Sequence, residues 1–188
     1  MAYLHVLREA AGLLDAGATY SHRGALGRVA GTLVVVRLVY RGDRSAEPWW
    51  TRVEVALPTG APLDLVIEER DGPVAERLRA SFASGEVDVE ELGARFRCLS
   101  PWPGAFPSRS MRERLLRTPS VTVRAVAAIS PSDGADPQGT TDGTGASEHL
   151  RGAPVLQVES PEILEATDLE HLVALAYDLS AEVRTLVL

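Results

Sequence analysis

Thr32-Leu33-Val34-Val35-Val36-Arg37-Leu38-Val39-Tyr40-Arg41 is followed by Trp49-Trp50-Thr51-Arg52-Val53-Glu54-Val55-Ala56-Leu57 and Leu63-Asp64-Leu65-Val66-Ile67-Glu68-Glu69. In these runs β-branched and aromatic residues alternate with polar ones between Gly- and Pro-containing turns, the pattern of half-buried strands. In the second run Trp49, Thr51, Val53, Val55 and Leu57 share one face, and Trp50, Arg52, Glu54 and Ala56 share the other. Only the first set suits a core, because a strand sends alternate side chains to opposite sides.

Like faces must pair, since a one-residue slip turns a strand over. Aligning Leu38 with Val53 and Val36 with Val55 sets Arg37 opposite Glu54 and Arg41 opposite Trp50. Aligning Val55 with Leu65 across the Pro58–Pro62 turn sets Arg52 opposite Glu68. Each opposite-charge pair contributes about 0.2–1 kcal/mol on a wet face. The expectation is an antiparallel meander over residues 32–69, apolar on one side and solvated on the other.

A length of 188 residues predicts one domain, 1–188, able to bury a core without covalent staples. A formal charge of −7 opposes general affinity for nucleic acid or anionic lipid, both of which need a basic surface. The 19 basic residues are all arginine and asparagine is absent too, the usage of a GC-rich genome. Lack of lysine excludes a Schiff-base lysine, a phosphate-loop lysine and a lysine general base. The single Cys98 has no internal partner, which suits a reducing cytosol. No apolar run is long enough to span a bilayer, and the N-terminus lacks the basic and apolar regions of a signal peptide. The expectation is a cytoplasmic protein that binds neither membrane nor nucleic acid.

Outward from the sheet, residues 2–16 predict an amphipathic helix on Leu4, Leu7, Ala11 and Leu14, stopped by Gly17. Gly24, Gly27 and Gly31 have neither dinucleotide-fold nor phosphate-loop spacing and read as turn or bulge glycines before the first long strand. Asp71-Gly72-Pro73 predicts a helix start, with Val74, Leu78 and Phe82 on one face. Residues 95–99 predict a short strand with Phe96 and Cys98 inward. Trp102 and Phe106, in a Pro-rich loop, read as a lid on the core. Ser110-Met111-Arg112-Glu113 is a capping-box pattern opening a helix that ends at Thr118, before Pro119.

Residues 121–129 and 154–159 predict a hairpin, with 130–152 a flexible loop at its tip because its composition is too polar to offset its ordering entropy. Thr167-Asp168-Leu169-Glu170 is a second capping box. It opens a long C-terminal helix with an apolar stripe at Leu169, Leu172, Val173, Ala176, Leu179, Val183 and Leu186. The fold class is therefore α+β, a mainly antiparallel sheet with helices packed on one face.

Chemistry-bearing motifs are absent. His5, His22, His149 and His171 share no metal spacing, and Cys98 stands alone. No Gly-x-Ser-x-Gly elbow or His-Glu-x-x-His occurs, and Glu68-Glu69 and Glu90-Glu91 diverge in extended chain. No cofactor site is expected. The candidate binding residues are Trp50, Arg52, Arg37 and Arg41 on the predicted outer face, with Tyr40 on its rim, because Trp and Arg dominate binding hot spots.

Several short pieces carry a resemblance: Gly27-x-x-x-Gly31-Thr32 leading into a Val-rich strand, Thr51-Arg52-Val53-Glu54-Val55-Ala56-Leu57-Pro58, Gly93-Ala94-Arg95-Phe96-Arg97 and Arg114-Leu115-Leu116. With the closing hairpin and helix, the chain resembles a group of uncharacterised α+β proteins from high-GC bacteria. The resemblance implies a fold and no activity. Relatives often carry Phe-Asp where Leu92-Gly93 stands here, so no role of that aspartate transfers. The function expected from the residues is a non-catalytic interaction or assembly domain, with a protein partner or self-association. The alternatives are a small-ligand binder or enzyme with a site assembled from distant residues, and an acidic immunity- or chaperone-like partner.

Overall fold

The computed structural model describes residues 3–40, 49–63, 65–70, 86–87, 92, 95–102, 105–127, 150 and 152–187. Within them, helices α1 (Leu4–Gly12), α2 (Arg109–Arg117) and α3 (Ala166–Val187) accompany a single sheet. Its strands are β1 (Thr19–Ser21), β2 (Gly24–Val29), β3 (Thr32–Tyr40), β4 (Trp49–Ala56), β5 (Val66–Glu69), β6 (Glu86–Val87), β7 (Phe96–Leu99), β8 (Thr122–Ala127) and β9 (Pro154–Ser160). The spatial order is β1-β2-β3-β4-β9-β8-β5-β7-β6, and every pairing is antiparallel. The class is α+β, with an antiparallel sheet and a long C-terminal helix.

Strand alternation selects the buried side as expected. Val34, Val36, Val53, Val55, Leu156, Val158, Val123, Ile67, Phe96 and Cys98 turn to one face and form the main core with the helices. Helix α3 supplies Leu169, Leu172, Val173, Ala176, Leu179 and Val183, while α1 supplies Val6 and Ala10 and α2 supplies Met111 and Leu115. Phe106 is wholly buried and Trp102 packs on the same core, so this loop does lid it.

Two pairings differ from expectation. In β3–β4, Val36 faces Val53 and Val34 faces Val55, a two-residue shift that keeps both faces and sets Arg37 opposite Arg52 and Val39 opposite Trp50. Strand β4 does not pair with β5. Its second neighbour is β9, with Arg52 opposite Glu159, and β5 lies between β7 and β8. The 32–69 meander therefore stops after β4, and Glu159 takes the place expected for Glu68. The β8–β9 hairpin forms as predicted, running from Thr122 opposite Glu159 to Ala127 opposite Pro154.

The glycine-rich stretch before β3 is itself the strand β2, not a bulge. Ala30 and Gly31, both at positive φ (46° and 82°), make the two-residue turn between β2 and β3. Such turns match the twist of a hairpin, and glycine adopts them without strain. At Gly27 an added Cβ would lie 2.8 Å from the Cβ atoms of Leu14 and Ala18, so glycine lets the segment between α1 and β1 approach β2.

Helix α1 is shorter than the predicted 2–16. Helix α2 is capped by Ser108, two residues before the expected Ser110, and its Oγ accepts from Met111 N at 3.4 Å. The Glu182 carboxylate of α3 accepts from Ser108 N at 3.0 Å and from Ser108 Oγ, so the other helix supplies the partner that a local capping box would have. Helix α3 starts at Ala166, ahead of the expected cap Thr167. The helix expected after Pro73 and most of 130–152 lie outside the described residues; Leu150, within the latter, is buried against Val35 and Val155.

Candidate functional site

The face of the sheet opposite the main core carries a belt of charge. Alternation sends Arg37, Arg52, Glu54, Gln157, Glu159, Glu68 and Arg97 to this side. Arg52 Nε donates to Glu159 Oε1 at 2.5 Å, and its Nη1 lies 3.6 Å from Glu54 Oε1. Glu54 also accepts from Arg37 Nε at 3.1 Å and from Gln157 Nε2 at 3.0 Å. Further along, Arg97 pairs with Glu68.

These groups are not a solvated surface. Glu159 and Glu68 are each 2% exposed and Trp50 is 5% exposed. Long side chains lie across neighbouring strands in ion pairs and cover one another. The apolar row beside them (Leu33, Val35, Ala56, Val155 and Val126) is seated under Leu150. Buried charges paired in this way, with Glu68 Oε2 left without a hydrogen bond, hold neighbouring strands together rather than offer free contacts.

The structure therefore divides the residues chosen from sequence. Trp50, Arg52 and Arg37 do share a face, but that face is closed by its own contacts. Arg41 lies outside the described residues, and the register puts Val39, not Arg41, opposite Trp50. Tyr40 belongs to the other face, directly across from Trp49.

Tyr40 instead enters an aromatic patch. The rings of Tyr40 and Trp49 meet edge-on with centroids 5.2 Å apart, and the Tyr3 ring, at the start of α1, lies 5.5 Å from Trp49. Tyr3 is 37% exposed and Tyr40 47% exposed. Leu4 on α1 is also exposed. Trp49 points to the core side but sits at the end of β4, where no helix covers it fully. The cue to this patch was Trp49 pairing with Tyr40 at the end of a hairpin, with a third aromatic leading a helix that packs on the same face.

Among the described residues no catalytic constellation comes together. Cys98 is buried in β7, and burial pushes its thiol from 9.0 up to about 12, with Arg112 pulling weakly the other way. A thiol so placed is packing, not a nucleophile. His22 and His5 are exposed, and His22 only accepts from the neighbouring Arg23 Nε. Among the described residues no group of three or more His, Cys, Asp or Glu could hold a metal ion.

The fold and these surfaces define an α+β protein with a self-paired charged sheet face and an exposed aromatic cluster at one end. Among the described residues no helix is long and apolar enough to cross a membrane. No protein-family model matches the chain, and no curated protein or solved structure shows significant similarity to it.

Proposed function

We propose that the chain is a non-catalytic interaction domain of a bacterial cytoplasmic protein, and that it docks a basic protein partner on Tyr3, Trp49 and Tyr40. The observation that carries this reading is the packed, exposed aromatic cluster, since Trp and Tyr are the residue types that anchor protein interfaces. The basic character of the partner follows from charge. A protein of net charge −7 attracts basic surfaces, and the faces of Trp and Tyr attract guanidinium and ammonium groups. The bacterial, cytoplasmic setting rests on the resemblance to high-GC bacterial proteins, the arginine-only basic residues and the lone cysteine.

The test is a pull-down with tagged protein over a salt series, run beside Tyr3→Ala, Tyr40→Ala and the control Arg109→Ala on α2. Wild type and the control retain a stoichiometric basic partner that high salt releases. Each tyrosine variant weakens it about 30-fold, the loss of one hot-spot residue. A partner held equally by both tyrosine variants, or no stoichiometric partner at all, overturns the reading.

A further inference from the structure

Beside the central strands, the chain leaves α2, enters β8, and later leaves β9 to enter α3. These connections border a cleft of about 300 Å3. Its floor is apolar, made by the buried Leu164 and Leu172. One wall is the last turn of α2, with Arg114 and Arg117; the other is the first turns of α3, with Asp168 and His171. In both pairs the residues are three apart, so each presents two side chains on one helix face.

Arg114 is already committed to Asp178. Among the described residues Arg117, Asp168 and His171 make no ion pair or side-chain hydrogen bond, and Arg117 and Asp168 do not pair with each other. At the base of the cleft lies Ser160, a residue only 3% exposed. Its backbone is held in the ladder opposite Thr51, yet its hydroxyl, which lines the cleft, has no hydrogen-bond partner among the described residues. A hydroxyl in the wall of a cleft with no bond to the protein can donate to or accept from a ligand atom.

We propose that this cleft binds a small zwitterion, a free amino acid or a molecule of similar size with one carboxylate and one ammonium group. A simple anion would meet Arg117 but face Asp168. A simple cation would meet Asp168 but face two guanidiniums. A zwitterion pairs both walls at once: its carboxylate meets Arg117 in the forked geometry that arginine favours, and its ammonium meets Asp168. The Ser160 hydroxyl serves either polar end, and the leucine floor takes an aliphatic side chain. The volume lies at the small end of ligand sites. This site is independent of the aromatic patch.

Binding of the standard free amino acids, then of leucine against its matched single-charge analogues isocaproate and isoamylamine, is read by calorimetry and by melting temperature. At least one amino acid binds and raises the melting temperature in a concentration-dependent way, and the two analogues of leucine bind about tenfold more weakly or worse. Arg117→Ala erases the preference for leucine over isoamylamine, and Asp168→Asn erases the preference over isocaproate. Both side chains are exposed and each sits at a helix end, so either variant lowers the unliganded melting temperature only slightly. Two results overturn the proposal. One is no amino acid binding at about 10 mM, where even a millimolar site would show a shift. The other is isocaproate binding as tightly as leucine, which would make the cleft a plain anion site.

Discussion

Glu54→Gln tests the charged belt at the point where three donors converge. The Glu54 carboxylate accepts from Arg37 and Gln157 and lies 3.6 Å from Arg52, while Arg37 and Arg52 face each other directly across β3 and β4. Removing the negative charge at constant shape weakens a hydrogen bond to a charged group, worth about 1.5–3 kcal/mol, and leaves two half-buried guanidiniums without the anion between them. The expected destabilisation is therefore about 2–4 kcal/mol. Arg37→Met removes one of the facing cations, so the same Glu54→Gln change costs less in that background. The resulting coupling is about 1–2 kcal/mol. Arg52 retains Glu159 in all four proteins, which isolates the Arg37 contribution. Urea unfolding followed by tryptophan fluorescence measures each corner, with equal m-values confirming a common unfolding transition. Additivity within about 0.5 kcal/mol would refute the view that the belt is a mutually dependent network.

Thr51→Val should cost about 1–3 kcal/mol in the same assay, because Thr51 Oγ1 donates to Glu162 O at 2.8 Å and accepts from Leu164 N at 3.2 Å; the isostere leaves Leu164 N unsatisfied, while Glu162 O keeps the Thr51 N–H; a change under about 0.5 kcal/mol would contradict this. Gly27→Ala should lose about 1–3 kcal/mol by wedging the segment after α1 away from β2, whereas Ala30→Asn, which relieves a left-handed alanine, should gain about 0.5–1 kcal/mol. Melting temperatures that move in the same direction for both would count against the turn and contact geometry. Cys98 should resist alkylation in the folded protein at pH 8 and react on unfolding. Because the unfolded thiol releases its proton first, its stabilising contribution is intact below 9.0 and is lost as pH climbs toward about 12. Rapid native alkylation would disprove the burial.

Face assignment was legible in the residues of β3 and β4, as were the β8–β9 hairpin and the apolar stripe of α3. Strand partners and register were less so. A two-residue slip conserves every face, so alternation could not separate Val36–Val53 from Val36–Val55. Nor could charge choose the neighbour of β4, since Glu68 and Glu159 both complement Arg52 and the short Pro58–Pro62 turn favours the nearer strand. Long-range pairing decided it. Among the candidate binding residues, the same alternation that placed Trp50 outward concealed that this face pairs its charges internally. Inward-pointing Trp49 was discounted as core, although a strand end extends past the helices that cover the middle. The cleft between α2 and α3 had no local signature, because its walls are brought together from residues that the whole β8–β9 excursion separates.

The place of β9 also sets an order of assembly. Its neighbours β4 and β8 come from opposite halves of the chain, and the Arg52–Glu159 contact spans 107 residues. Until β9 is synthesised, β1–β4 and β5–β8 can form only as separate half-sheets. Each then ends in an unpaired strand rich in valine, a template for wrong partners. The last strand joins both edges in a single step, and the final helix covers the seam. Such a topology folds late and slowly, since the loop-closure entropy must be met before the long-range contacts form. A nascent chain stalled before residue 154 would expose the β4 and β8 edges that β9 closes in the finished protein.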